Sequence, residues 1–200
     1  MNRIVYRMCR LWMVAGMAFC AISTAFGAGV FYVVPNGAGT TGTSWADAFG
    51  AIQPAIDAAV AAGGGEVWVK AGTYTNTTPD PLVHMRSGVD IYGGFDGTEV
   101  VRESRDWSKN VTIIDGDYGE LINSSCVMGA DNATIDGFTL ANGLYPITGG
   151  GGGIHNDSAS PTINHCIFYK CEAFFNGGAI YNQASSPSIN YCTFIENTAD

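Results

Sequence analysis

The sequence predicts an all-β protein: a parallel β-helix solenoid whose N-terminal end is closed by a capping helix. Three observations predict it. Residues 177–200 repeat residues 151–174 with eleven identities in 24 positions: Gly151, Gly152, Ile154, Asn156, Ser160, Pro161, Ile163, Asn164, Cys166, Phe168 and Ala173 all recur. A period in the twenties marks stacked units that bury one another's faces. Within each copy, apolar residues pair two positions apart, Cys166 with Phe168 and Cys192 with Phe194, which sets both on one face of a short strand. Gly, Pro, Asn and Ser punctuate the runs, and helical spacing is absent within a repeat. Leucine-rich repeats share the period, but their leucine pattern is missing.

The first 27 residues stand apart from the fold. Arg3, Arg7 and Arg10 form a basic start, residues 11–26 are an uncharged apolar run, and Ala25 and Gly27 supply small residues at −3 and −1. That is a signal peptide over residues 1–27, cut after Gly27. The run is shorter than the ~20 residues of a spanning helix, so no transmembrane helix is expected after cleavage. Losing three of nine basic residues and no acidic ones takes the net charge from −9 to −12. Such a surface repels nucleic acid and anionic membranes, and repels polyanionic glycans unless cations bridge them. The 27 glycines and a charged fraction of 14 % suit a turn-rich extracellular β protein.

Residues 28–65 are expected to form the N-terminal cap. Pro54 fits a first helical turn, Ile56, Ala59 and Val60 make one face, and Gly63-Gly64-Gly65 ends the helix. An amphipathic helix laid over the open end of a solenoid shields core and strand edges, and Trp45, Phe49 and Ile52 are assigned to the same cap. Residues 66–200 then form the coils. The segments "VWVKAG", "DIYGGF", "TIIDGD" and "ATIDGF" each place a β-branched residue before a polar residue and a glycine or alanine. Taking Val69, Ile91, Ile114, Ile135, Ile163 and Ile189 as equivalent gives intervals of 22, 23, 21, 28 and 26, one coil each. Asp200 falls inside the second clear repeat, so the chain reads as the opening part of a longer protein.

Four cysteines follow the leader: Cys126, Cys166, Cys171 and Cys192. Cys166 and Cys192 hold the same place in successive repeats. Parallel neighbours keep their Cβ atoms ~4.8 Å apart, wider than the 3.5–4.5 Å of a disulfide, so these two are expected to stack as free thiols. Cys171 bridged to Cys126 or to another loop thiol is left open. Asn164 and Asn190, also one repeat apart, are read with Cys166 and Cys192 as a structural ladder, and Asn156 and Asn182 as a second one.

These residues carry a family resemblance. The stretch from Phe31 to Tyr74, "FYVVPNGAGTTGTSWADAFGAIQPAIDAAVAAGGGEVWVKAGTY", resembles the N-terminal cap and first coil of bacterial right-handed β-helix proteins with the pectin-lyase-like fold. The repeats resemble those of polymorphic outer membrane proteins: Gly177-Gly178-Ala179-Ile180 matches their GGAI-type segment, and Phe194-Ile195-Glu196-Asn197 their Phe-x-x-Asn. The preceding repeat departs, with Cys171 in place of the asparagine. The resemblance implies a right-handed helix, export and a place outside the cell, secreted or at the outer-membrane surface. It says little of activity, since the fold hosts enzymes, adhesins and glycan binders.

Set against the enzymes of that fold, the chain lacks a readable catalytic set. Lyases use a calcium site with an arginine or lysine as base, yet Arg102 and Arg105 are the last arginines and precede the clear repeats. The Asn-Thr-Asp, Asp-Asp and Gly-His-Gly motifs of galacturonan hydrolases are absent, as is the Asp-Pro-His of alginate epimerases. No cofactor is required. The one metal set in prospect is acidic: Asp115, Asp117 and Asp136 would converge if "IIDGD" and "TIDGF" were successive coils, offering the oxygen ligands calcium prefers. Asp before Gly is also ordinary turn chemistry. His155 and His165, replaced by Tyr181 and Tyr191 one repeat later, read as surface positions. Tyr169, Tyr181 and Tyr191 could stack on sugar rings or pack between coils.

The expected function is a secreted or surface-displayed scaffold, adhesin-like or glycan-contacting and non-catalytic in this segment. Its contacts would come from the loops at 145–150 and 172–176, and its partner would be a polysaccharide or a surface protein of a host or neighbouring cell. The alternative is a polysaccharide lyase or glycoside hydrolase whose active coils lie beyond residue 200.

Overall fold

The computed structural model describes residues 29–75, 81–117, 125–145 and 150–200; the signal peptide expected over 1–27 lies outside them. The described chain is a parallel β-helix. A six-stranded sheet runs, in spatial order, Gly29–Val33, Gly65–Lys70, Val89–Phe95, Thr134–Asp136, Thr162–Asn164 and Ser188–Asn190. A five-stranded sheet runs from Gly72–Thr75 through Thr112–Asp115, Thr139–Ala141 and Ile167–Tyr169 to Thr193–Ile195. Val83–His84, Val127–Met128, Ile154–Asp157 and Ile180–Gln183 form a third sheet. Leu144–Tyr145, Glu172–Ala173 and Thr198–Ala199 form a fourth. Neighbouring strands pair in parallel, one coil on the next.

Alternation along each strand sends every second residue inward, and strict register stacks those residues into columns. Phe31, Val67, Ile91, Ile135, Ile163 and Ile189 form one column. Tyr74, Ile114, Leu140, Phe168 and Phe194 form a second, and Val83, Val127, Ile154 and Ile180 a third. Except for Ile189 and Phe194 in the last coil, which are exposed, the columns meet in one core, where burying each large side chain contributes about 1.5–3 kcal/mol.

Two expectations about the rungs are corrected. Val67 rather than Val69 pairs with Ile91, and Ile114 lies in the five-stranded sheet between Tyr74 and Leu140. The strand after Ile91 in the six-stranded sheet carries Ile135, and these strands are 44 residues apart. The segment is therefore one coil with a long excursion, not two coils. "TIID" and "ATID" have the same local alternation, and only the partner strand distinguishes them.

The helix spans Ile52–Ala61 and buries Ile52, Ala55, Ile56 and Ala59 against the end of the core, an i, i+3, i+4, i+7 stripe. Val60, expected on that face, lies one position beyond the stripe and is exposed. The cap segment also supplies the edge strand Gly29–Val33. Trp45 joins Tyr32, Trp68, Tyr92 and Phe95 in a separate aromatic cluster on the outer side of the six-stranded sheet.

Corners between sheets turn on single left-handed residues. Gly137, His165 and Tyr191 stand one coil apart with φ of 80°, 47° and 54°, and Asn142, Lys170 and Glu196 repeat the device at the next corner. Such φ values are uncommon outside glycine. Side chains tie the corners together. Asn197 accepts from the Cys171 amide and donates to the Phe168 carbonyl, each at 2.9 Å, which accounts for the Phe-x-x-Asn pattern.

Candidate functional site

The outer face of the six-stranded sheet is crossed by the excursion that follows Phe95, residues 96–111. Its floor is Tyr92, Asp136 and Asn164, which stand in one register column, one coil apart. Glycines make the crossing possible. Gly94, at φ 95°, lies so close to the Trp107 backbone that a Cβ would sit 2.6 Å from its Cα, and a Cβ on Gly137 would meet Arg105 Nη1 at 2.6 Å. The excursion is pinned by Asp106 N–H donating to Gly94 O at 3.0 Å, and by Trp45 Nε1 donating to Glu99 O at 2.9 Å.

Arg105 is the main fastener. Its Nη2 lies 2.8 Å from Asp136 Oδ1, and its Nη1 donates to the Gly93 carbonyl at 2.8 Å. Both side chains of this ion pair are only 11 % exposed. Arg102 Nη1 meets Glu66 Oε1 at 2.6 Å and donates to the Tyr92 hydroxyl at 3.1 Å, while its Nη2 lies 3.2 Å from Glu103. The Tyr92 ring receives both guanidinium groups, at 4.7 Å and 5.2 Å from its centroid. Burial, reinforced by the neighbouring Asp90 charge, pushes the Tyr92 phenol up to about 12, so it stays protonated at neutral pH.

Beside this charged floor stands a column of rings. Trp107 stacks on His165 with centroids 4.8 Å apart, and Tyr191 stacks on the other face of His165 at 5.2 Å. His165 and Tyr191 occupy the left-handed corner of their coils. In the coil before them that corner is Gly137, and Trp107 enters beside it, its Cβ 3.0 Å from where a Gly137 Cβ would lie. The spacing is that of neighbouring strands, ~4.8 Å. His165 Nδ1 lies 3.2 Å from Asp136 Oδ1, which ties the column to the ion pair. Trp107 is 41 % exposed and Tyr191 83 %. A cleft of about 510 Å³ opens between excursion and sheet, lined by Arg102, Glu103, Trp107, Thr134, Asp136 and Asn164 among others. It offers a flat aromatic surface next to amide, hydroxyl and carboxylate groups, the constellation that holds a hydroxyl-rich ring.

The acidic trio expected to gather calcium is not brought together. Asp136 pairs in register with Tyr92 and Asn164 on the six-stranded sheet, whereas Asp115 pairs with Thr75 and Ala141 on the five-stranded sheet. Asp115 Oδ1 instead accepts from the Asn142 amide at 2.9 Å and from the Asp117 backbone at 3.1 Å. Among the described residues no three His, Cys, Asp or Glu side chains are grouped to hold a metal.

Asn190 donates to Asn164 Oδ1 at 3.0 Å, and Asn156 to Asn182 Oδ1 at 2.8 Å. All four described cysteines are free thiols. Cys166 and Cys192 point at the carbonyls of Ile135 and Ile163, each one coil back, at 3.9 Å and 3.6 Å. Burial and the facing Cys192 keep the Cys166 thiol protonated, and its hydrogen bond lowers the thiol of half-buried Cys192 to about 7. His155, expected at the surface, is 8 % exposed, with no partner among the described residues for either ring nitrogen. Tyr145 and Tyr181 meet it edge-on at 5.5 Å and 5.4 Å, and burial lowers its pKa.

Sequence reasoning missed Arg105, Trp107 and Tyr92. The available signal was the cluster of aromatic and basic residues in "RESRDW" just after the double glycine of "YGGF".

The chain is similar to the mannuronan C5-epimerases AlgE1 and AlgE2 of Azotobacter vinelandii, 36 % identical to each over 104 residues, which is 50 % of this chain. It spans 7 % of the first and 10 % of the second. No protein-family profile matches the chain, and no solved structure does. Among the described residues no helix is long and apolar enough to cross a membrane.

Proposed function

We propose that this chain is a polysaccharide-contacting β-helix that works outside the bacterial cell, secreted or displayed at the outer-membrane surface. Glycan is held on the outer face of the six-stranded sheet, in the cleft beside Trp107. The observation that carries this reading is the exposed indole stacked on His165 at the edge of a polar cleft. A sugar packs its C–H face on the aromatic surface, while Thr134, Asn164 and Glu103 exchange hydrogen bonds with its hydroxyls. The similarity to proteins named for a polysaccharide reaction supports a polysaccharide ligand. The leader supports export, and the GGAI and Phe-x-x-Asn segments support display in the manner of polymorphic outer membrane proteins.

A second reading is turnover of the bound glycan by lyase, hydrolase or epimerase chemistry. The 36 % identity to epimerases favours it. The Asp136–His165 contact gives it a base candidate of the usual kind.

Both readings are tested by incubating the secreted, leader-free protein with a polysaccharide panel, with and without calcium. Retention by co-sedimentation without new ends is the expected result. New unsaturated or reducing ends, or inversion at C5 seen by NMR, would establish the second reading instead. Neither retention nor turnover would refute both.

A further inference from the structure

We propose that the Trp107 cleft selects uncharged glycan chains and rejects polyuronates, an inference that rests on the polysaccharide reading above. The ground is the charge pairing of the site. A uronate-binding groove needs a cation left free to meet the sugar carboxylate, and here each cation lining or flanking the cleft already has a carboxylate. Arg105 holds Asp136 at 2.8 Å, Arg102 holds Glu66 at 2.6 Å and Glu103 at 3.2 Å, and Lys109 holds Asp106 at 2.8 Å. Two guanidinium groups stand in the cleft against four carboxylates in or behind it: Glu66, Glu103, Asp136, and Asp90, which accepts from the Thr134 amide at 2.8 Å. The surplus is negative, on a chain whose net charge is −9. The cleft therefore repels an approaching polyanion, and does so more strongly at low salt.

What remains for recognition is neutral chemistry. The indole takes the apolar face of a pyranose, the Asn164 amide and Thr134 hydroxyl each donate and accept, and the Glu103 carboxylate, 73 % exposed, accepts from sugar hydroxyls. The likeness to mannuronan C5-epimerases then marks shared architecture and not a shared ligand.

Calorimetric titration of the leader-free protein with oligosaccharides of glucan, mannan and xylan, against oligomannuronate of equal length, tests the inference. At low salt the expected result is tighter binding of at least one neutral chain, by about tenfold or more. Its affinity should be insensitive to added salt, and that of the uronate should rise as salt is added. Trp107→Ala should abolish neutral binding, and Glu103→Gln should narrow the gap. The wild-type comparison stands if either variant misfolds. Oligomannuronate binding as tightly as the neutral chains, with loss in Trp107→Ala, would overturn the selectivity and leave the polysaccharide reading intact. Binding of neither class would overturn both.

Discussion

Replacing Arg105 by alanine should cost about 3–5 kcal/mol of folding stability and release the excursion from the sheet. The figure follows from what the guanidinium does. It pairs with Asp136 at 2.8 Å, donates to the Gly93 carbonyl at 2.8 Å and to the Asp136 carbonyl at 3.3 Å, and both charged side chains are 11 % exposed. Removing one side of such a pair leaves the buried Asp136 charge with only its His165 contact at 3.2 Å, and breaking a buried pair costs ~3–5 kcal/mol. Counting two charge-assisted hydrogen bonds at roughly 1.5–3 kcal/mol each gives about 3–6 kcal/mol, which overlaps that figure. Against a domain stability of about 5–15 kcal/mol this is a severe loss. Urea titration by circular dichroism measures it, and Trp107 emission should shift to the red as the indole leaves His165. Arg105→Lys keeps the charge and loses the fork, so it should fall between. The double variant Arg105→Ala/Asp136→Asn should recover part of the loss. A change below about 1 kcal/mol in Arg105→Ala, typical of an exposed pair, would refute the fastening role.

Other outcomes follow from the same geometry. Phe168→Ala, at a fully buried position, should destabilise by about 3–5 kcal/mol in a urea melt, whereas Ile167→Ala on the outer side of the same strand should cost much less. Gly94→Ala should be destabilising because the left-handed φ and the Trp107 backbone both exclude a Cβ; native stability would contradict the close crossing. Cys192 should be alkylated before the other thiols, with its rate climbing as pH rises through about 7, since its thiolate forms below the ordinary thiol range. Peptide mapping after a short iodoacetamide pulse reads this directly. His155 is buried without partners among the described residues and burial lowers its pKa, so the folded state resists the proton the unfolded state takes up. Stability should therefore fall as pH drops below the unfolded value, and His155→Phe should flatten that limb of the pH–stability curve.

The coils were legible wherever the sequence repeats itself. Ile163 on Ile189, Asn164 on Asn190 and Phe168 on Phe194 fall in register as the alignment of 151–174 on 177–200 requires. The upstream coils were not, because strands of different sheets carry the same alternation. Ile114 looks like Ile91 or Ile135 until its partners, Tyr74 and Leu140, are known. The excursion at 96–111 hid for a related reason, since its length imitates the spacing of an ordinary coil. The candidate site depended on that excursion. Arg105 reaches Asp136 across 31 residues, and Trp107 reaches His165 from another coil, so no local motif could announce them. The grouping of the acidic trio depended on the same point: it needed Asp115 and Asp136 on one rung, and the register puts them on two sheets.

Trp107 also makes the central claim directly measurable. Trp45 and Trp68 pack in the aromatic cluster under the excursion, while Trp107 alone of the described tryptophans lines the cleft. Titrating the leader-free protein with oligosaccharide should move its tryptophan emission to the blue in a saturable way as a sugar ring covers the indole. The same titration of Trp107→Phe should leave the emission still. An unchanged spectrum in the wild type while glycan is demonstrably bound would place the ligand elsewhere on the β-helix and contradict the account.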